Sequence, residues 1–270
     1  MILKLQEGIF LDNDIITKDG IEKHLSSPYP IEILENVDST NRYLKKISCG
    51  DTVEGYTVIA IKQTNGHGRF NRKFHSPENS GIYMSILLKP TITADTAVLV
   101  TSAAAVAVCE AIEICCHTKA QIKWVNDIIV NSKKVCGILA EGKINPETQK
   151  FESIIIGIGL NVYSPTNGFA EEIKDVAGAV AHKETKGLKN KLIAEIINRL
   201  VSYSHQLSKK TFLKNYKRRN IVIGKTVTII KGDVKKTAKA IDIDDSCRLL
   251  VEFQDKTKTL LDSGEISLRL

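Results

Sequence analysis

The chain has 270 residues, 43% of them apolar and 6% aromatic, with 38 Lys and Arg against 31 Asp and Glu for a formal net charge of +7. That composition excludes disorder, which needs low hydrophobicity, and six cysteines are too few to staple a chain of this length. The basic excess admits nucleic acid, an anionic surface, a phosphorylated substrate or an acidic protein as partner, so where it sits matters more than its sum.

In chain order, the opening MILKLQEGIF has no basic region, apolar core and small-residue cleavage site of a secretory leader. Residues 1–30 read as an N-terminal extension with one short helix from Thr17 to Leu25, leaving no room for a three-helix DNA-binding module. From Ile31 the pattern is denser. IEILENV alternates like a strand, residues 40–48 suggest a short helix, and YTVIAIKQ is a β-branched strand running into a Gly, Asn and Arg segment. Strand GIYMSILL follows. The apolar stretch from Ala97 to Cys116 is broken by Thr101, Ser102, Glu110 and Glu113, the two glutamates falling on one helix face, so it reads as an Ala-rich helix of a cytosolic protein and not a membrane span. Strand QIKWV, a hairpin NDIIVNSKKVCGILAEG turning at Asn131-Ser132, and strand FESIIIGIGLNV come next.

Apolar residues at helical spacing from Leu188 to Leu207 predict an amphipathic helix over Lys186 to Lys210. Beyond Asn220 only short strands joined by Gly and Asp turns remain, the pattern of a small barrel of about fifty residues. These elements predict an α+β fold, a mixed sheet with helices packed on one face over residues 31–219, followed by a small all-β unit over 220–270. Cys49, Cys109, Cys115, Cys116, Cys136 and Cys247 show no metal-ligand spacing and read as reduced core residues.

Four segments carry chemistry. Gln63-Thr64-Asn65-Gly66-His67-Gly68-Arg69-Phe70-Asn71-Arg72-Lys73-Phe74 follows a strand with two glycines, which free backbone N–H groups, and two arginines whose forked donors suit phosphate or carboxylate. Alone it is equally an exposed basic loop. Lys123-Trp124-Val125-Asn126-Asp127, with Lys134 across the following turn, pairs an amide and a carboxylate that can serve hydrated magnesium or a substrate amine, or merely cap a turn. Val37-Asp38-Ser39-Thr40-Asn41 suits a helix cap, and Gly157-Ile158-Gly159-Leu160-Asn161 ends an apolar strand with glycines that let something approach the backbone.

Taken together, VDSTN, QTNGHGRFNRKFHSP, SGIYMS, KWVNDIIV, KKVCGILAE, GIGLNV and the terminal SGEISLR resemble the biotin protein ligases over about residues 31–270. The resemblance implies an SH3-like barrel at the C-terminus, ATP and Mg2+, and a two-step reaction. Biotin is activated as biotinyl-5'-AMP and then passed to a lysine of a biotin carboxyl carrier protein. It implies that Ser39, Thr40, Asn41, Gln63, Gly66, His67, Gly68, Arg69, Lys134, Gly137 and Gly157 contact biotin. Arg69, Arg72, Phe74, Lys123, Asn126, Asp127, Lys134 and Asn161 would contact ATP or the adenylate; Arg69, Lys134 and Asp127 would serve catalysis, and Asn126 with Asp127 magnesium. Against the family pattern His67 stands for an arginine, Asn71 for a glycine, Phe74 for a tryptophan and Val125 for a proline. A homodimer is expected by analogy, with neither DNA nor membrane as partner. Lipoate or octanoate ligation is a neighbouring reading, and a transcription regulator sensing biotinyl-AMP a third.

The basic excess is local. Between Lys183 and Arg219 there are eleven basic and two acidic residues. Such a run is either a solvated helix face or a surface that steers an acidic carrier protein.

Overall fold

A computed structural model describes residues 14–48, 51–90, 92–93, 96–231, 234–262 and 265–267. The opening MILKLQEGIF, Cys49 and most of the terminal SGEISLR lie outside the described residues.

The larger sheet has seven strands: β1 (Ile31–Val37), β2 (Thr57–Gln63), β3 (Gly81–Leu88), β4 (Gln121–Lys123), β5 (Asp127–Val130), β6 (Lys133–Ile144) and β7 (Phe151–Asn161). Their spatial order is β1-β2-β3-β7-β6-β5-β4. Only the β1–β2 pair is parallel, joined through helix α2 (Thr40–Ile47), so the sheet is mixed as the sequence predicts. The β5–β6 turn falls at Asn131 and Ser132, both with positive φ (49° and 62°), the geometry that a two-residue hairpin requires.

Helix α3 (Ala97–Cys116) is apolar almost all round and is accordingly buried, against β4, β5 and β6 on one side and α4 (Leu188–Ser204) on another. By length and composition it could cross a membrane, but 72% of it is buried inside the fold. Its polar stripe finds partners on the neighbouring helices. Glu110 accepts from Tyr203 and Asn215, and Glu113 accepts from Arg219 of α5 (Leu213–Arg219).

Two expectations need correcting. Helices do not all lie on one face: α3 and α4 cover the face that carries Ile82, Met84, Ile86, Ile156 and Ile158, whereas Leu44 of α2 packs with Val58, Leu87 and Ile155 on the other. The short parallel crossover places α2 there, and its presence decides where the site lies. The predicted helix over Lys186 to Lys210 stops at Ser204. A 3-10 turn, Leu207–Lys209, and a left-handed Lys210 (φ 51°) then reverse the chain so that α5 can pack on α3.

Residues 14–30, with helix α1 (Lys18–Glu22), dock along α4. Gly187 precedes α4 and offers no capping side chain, so the buried Asp14 supplies one from a distance, accepting from the Lys189 N–H at 3.1 Å. Asn190 and Asn198 extend the seam through hydrogen bonds to Ile15 and His24.

At the C-terminus β8 (Thr226–Lys231), β9 (Val234–Ile243), β10 (Leu249–Glu252), β11 (Lys258–Leu261) and β12 (Glu265–Ser267) form a five-stranded antiparallel sheet, in keeping with an SH3-like unit. Cys109, Cys115, Cys116, Cys136 and Cys247 are free thiols, and burial pushes the Cys115 and Cys247 thiols up to about 11.

Candidate active site

The strand register lays out the floor of the site. One row across the sheet reads Tyr83, Gly159, Gly137, Asp127, Lys123, and the next reads Val58, Ser85, Gly157, Leu139. Both rows face the α2 side. Three glycines side by side leave bare main chain in the middle of the sheet, and neighbouring side chains take the space. A Cβ on Gly157 would lie 2.3 Å from Asn41 Oδ1, and one on Gly159 would lie 2.4 Å from the Phe74 ring. Phe74 meets Tyr83 edge to face, ring centroids 6.4 Å apart, over this floor.

Over one end stands the N-terminus of α2. Ser39, Thr40 and Asn41 are all buried. Gln63, at the end of β2, accepts from the Thr40 N–H at 2.9 Å and donates to Ser76. Ser85 lies within 2.7 Å of Thr40 Oγ1 and 2.6 Å of Asn41 Oδ1, and Asn41 donates to Glu141 at 2.7 Å.

The glycine loop folds back on itself through Gly68 N–H to Arg72 O (2.7 Å) and Phe74 N–H to Gly66 O (2.9 Å), with a bridge between His67 and Lys73. His67 Nδ1 is buried without a hydrogen-bond partner, and its Nε2 lies 4.0 Å from Glu141. Arg69 reaches across to donate to Asn126 Oδ1 at 3.2 Å, while Asn126 Nδ2 donates to Ile138 O.

At the opposite end Lys134 Nζ lies 2.5 Å from Asp127 Oδ1, with both side chains partly exposed. A strap over residues 164–178 walls this side. It is tied to β6 by Lys134 N–H to Val176 O and Gly178 N–H to Lys134 O, and to β7 by Asn161 Nδ2 to Gly178 O. Floor, α2, loop and strap enclose a cavity of about 1670 Å³, large enough for two small substrates at once.

Of the residues that the sequence singles out, Ser39, Thr40, Asn41, Gln63, His67, Gly68, Arg69, Arg72, Phe74, Lys123, Asn126, Asp127, Lys134, Gly137, Gly157 and Asn161 line this one cavity. Gly66 does not. It is buried where the loop closes, and a Cβ there would meet Phe74 O and Ser76 Oγ at 2.8 Å. Trp124, between the cavity residues Lys123 and Asn126, also has a structural tie. Its indole N–H donates to Cys247 O of the C-terminal sheet at 2.9 Å, so the ring ties the site strand to that sheet. Tyr216 of α5 holds the adjoining Val125 carbonyl at 3.1 Å.

Sequence reading missed Ser85, Ser76, Glu141 and the 164–178 strap. Ser85 and Glu141 did leave a signal, since each is a polar residue on the register of an apolar strand that Gly157 and Gly137 share. No basic residue of the 183–219 segment lines the cavity among the described residues, because α4 lies on the opposite face of the sheet. Several of those charges are engaged in place, Arg199 with Glu110 and Glu195, Arg219 with Glu113, and Lys217 with Asp242 and Asp245.

Residues 33–161 match the model of the Biotin/lipoate A/B protein ligase family, and residues 222–269 that of the Biotin protein ligase C terminal domain. The bifunctional ligase/repressor BirA of Bacillus subtilis is 40% identical over 145 residues, 54% of this chain but only 44% of that relative's length. The biotin--[acetyl-CoA-carboxylase] ligase of Mycobacterium tuberculosis is 25% identical over 253 residues, covering 88% of this chain and 89% of that one. Among solved structures, the biotin protein ligase of Aquifex aeolicus in complex with biotin and ATP superposes with a TM-score of 0.73 at 26% identity, over 89% of this chain and 98% of that one. In succession along the chain, on a fold similar to that of the solved biotin protein ligases, stand a domain of the Biotin/lipoate A/B protein ligase family and a Biotin protein ligase C terminal domain.

Proposed function

We propose that the protein is an ATP-dependent biotin protein ligase that forms biotinyl-5'-AMP and transfers biotin to a lysine of a carboxyl carrier protein of the acetyl-CoA carboxylase type. The observation that carries this reading is the two-ended cavity. An uncharged hydrogen-bonding cluster, the buried Ser39, Thr40 and Asn41 with the half-buried Gln63, sits at one end, and Arg69, Lys123, Asp127 and Lys134 at the other. A neutral ring fits the first end, because an analogue without its polar groups would leave buried partners unpaired. A triphosphate fits the second.

In the first step the biotin carboxylate attacks the α-phosphorus of ATP, and pyrophosphate leaves. Lys134 stabilises charge on the reacting oxygens, and Asp127 holds its ammonium in position. Arg69, braced on Asn126, lies over the acyl phosphate and slows its escape. In the second step the lysine amine attacks the acyl carbon, AMP leaves, and Asp127 is the carboxylate placed to take up the amine proton. The closed glycine loop and the strap keep water from the mixed anhydride. The enzyme's contribution is therefore mainly positioning and charge stabilisation.

Magnesium suits the donor set in one way only. Among the described residues no group of three or more His, Cys, Asp or Glu gathers, so Asp127 and the Asn126 oxygen would hold an ion that keeps most of its ligands as water and phosphate oxygen. Bound so, it would neutralise the triphosphate and ease departure of pyrophosphate.

Incubation with labelled biotin, ATP, magnesium and a panel of carrier domains tests the reading. One carrier lysine should be labelled, and only with ATP present. No labelling on any carrier, or protection against unfolding by octanoate but not by biotin, would overturn it.

A further inference from the structure

Beneath the site, the buried Thr40, Ser85 and Asn41 and the half-buried Glu141 form a hydrogen-bonded chain whose direction can be worked out from valence alone. Ser85 Oγ lies 2.7 Å from Thr40 Oγ1 and 2.6 Å from Asn41 Oδ1, yet it has one hydrogen and can donate to only one of them. Asn41 Nδ2 is 2.7 Å from Glu141 Oε2. An ionised carboxylate accepts and never donates, so the amide nitrogen of Asn41 must face Glu141, and its oxygen must face Ser85. Ser85 therefore donates to Asn41 and receives the Thr40 hydroxyl proton. Gln63 Oε1, 3.2 Å from the Thr40 hydroxyl, gives up that weaker donor and keeps the Thr40 N–H at 2.9 Å. Each step follows from the charge at the end of the chain. The only other titratable group paired with this carboxylate among the described residues is His67, at 4.0 Å.

We propose that Glu141 is a positioning residue that fixes the donor–acceptor polarity of this chain, presenting Asn41 Oδ1 to the cavity as an acceptor and so selecting a ring that bears an N–H group. Asn41 Oδ1 has two lone pairs and Ser85 uses one, which leaves the other for ligand. The proposal deepens the biotin reading and rests on it, since the ureido ring of biotin carries such N–H groups. A Gln at 141 keeps the shape but can either donate or accept. Asn41 is then free to turn over, and the pocket no longer distinguishes a donor from an acceptor.

The test is calorimetry of biotin and of biotin methylated on a ureido nitrogen, with ATP as the internal control for the fold, on the wild-type protein, Glu141→Gln and Ser85→Ala. In Glu141→Gln the preference for biotin over the methylated compound should shrink by about tenfold, the worth of one hydrogen bond, with ATP affinity within about twofold. Ser85→Ala should keep the wild-type preference, because Glu141 still orients Asn41. An unchanged preference in Glu141→Gln, or an equal collapse in Ser85→Ala, overturns the proposal. The side-chain amide protons of Asn41, followed by NMR without ligand, separate this from the biotin reading. The proton facing the carboxylate should lose its downfield shift in Glu141→Gln, and an amide that does not respond refutes the polarity whatever the ligand.

Discussion

Replacing Gly157 by Ala tests the bare floor directly. The added Cβ would lie 2.3 Å from Asn41 Oδ1, 2.9 Å from its Cγ and 3.0 Å from its Nδ2, so the carboxamide must move by about 1 Å to reach ordinary contact. It is held from both sides, by Ser85 at 2.6 Å and Glu141 at 2.7 Å, and cannot move so far and keep both bonds. A neutral bond is worth about 1 kcal/mol and one to a carboxylate about 1.5–3 kcal/mol, which sets the loss at about 2.5–4 kcal/mol. If that loss falls on the biotin-bound form, affinity should drop by about 10²–10³-fold. The strand itself should tolerate Ala, since backbone pairing with Ser85 and Leu139 is untouched. Titration calorimetry with biotin, with ATP in parallel, measures both effects. A biotin affinity within about fivefold of wild type, or ATP binding that falls by the same factor, would refute the assignment of Asn41 and Gly157 to the ring end of the site.

Lys134→Ala removes the cation 2.5 Å from Asp127 and should slow pyrophosphate release by about 10²–10³-fold, with biotin affinity less affected; a normal rate would leave Lys134 outside the chemistry. Trp124→Phe loses the indole bond to Cys247 O at a nearly buried position and should lower unfolding stability by about 1–2 kcal/mol, visible in the denaturant midpoint, which a purely space-filling ring would not show. At Asp244 burial pushes the carboxyl upward, but hydrogen bonds from Arg248 and Ser246 pull it below the ordinary carboxylate range. Its contribution to stability is therefore complete above the unfolded carboxyl's pKa of about 4 and is lost as pH falls through the lower folded value. Melting curves of Asp244→Asn should accordingly fall less steeply with acidification than wild type, and parallel curves would contradict the linkage.

Much of this was legible in the sequence, for reasons particular residues make plain. The period-2 strands and the Asn131-Ser132 turn are local signals, and the sheet reproduces them. Gly157 and Gly159 on an apolar strand announce a bare backbone without knowledge of what covers it. The covering was illegible, because the partners are remote: Asn41 meets Glu141 across 100 positions, and Asp14 caps α4 across 175. Trp124 gave no local sign of its partner. Lys123, Asn126 and Asp127 face the cavity, but the intervening indole turns to a C-terminal sheet that local pattern does not reveal. The α2 face was missed for the same reason, since amphipathicity tells which side of a helix is buried and not which side of the sheet receives it.

The Trp124 bond to Cys247 also bears on how the chain comes apart. Val227, Ala238, Ala240, Ile243, Leu249 and Val251 of the C-terminal sheet belong to the same buried apolar cluster as α3 and the larger sheet, and Tyr216, fully buried, lies at the join. A fragment ending at Arg219 would therefore expose an indole, part of a shared interior and the strand that carries Lys123. The two family domains share one buried interior and should therefore unfold as a single cooperative unit. Calorimetric melting should show one endotherm with equal calorimetric and van't Hoff enthalpies, where independent domains would give two.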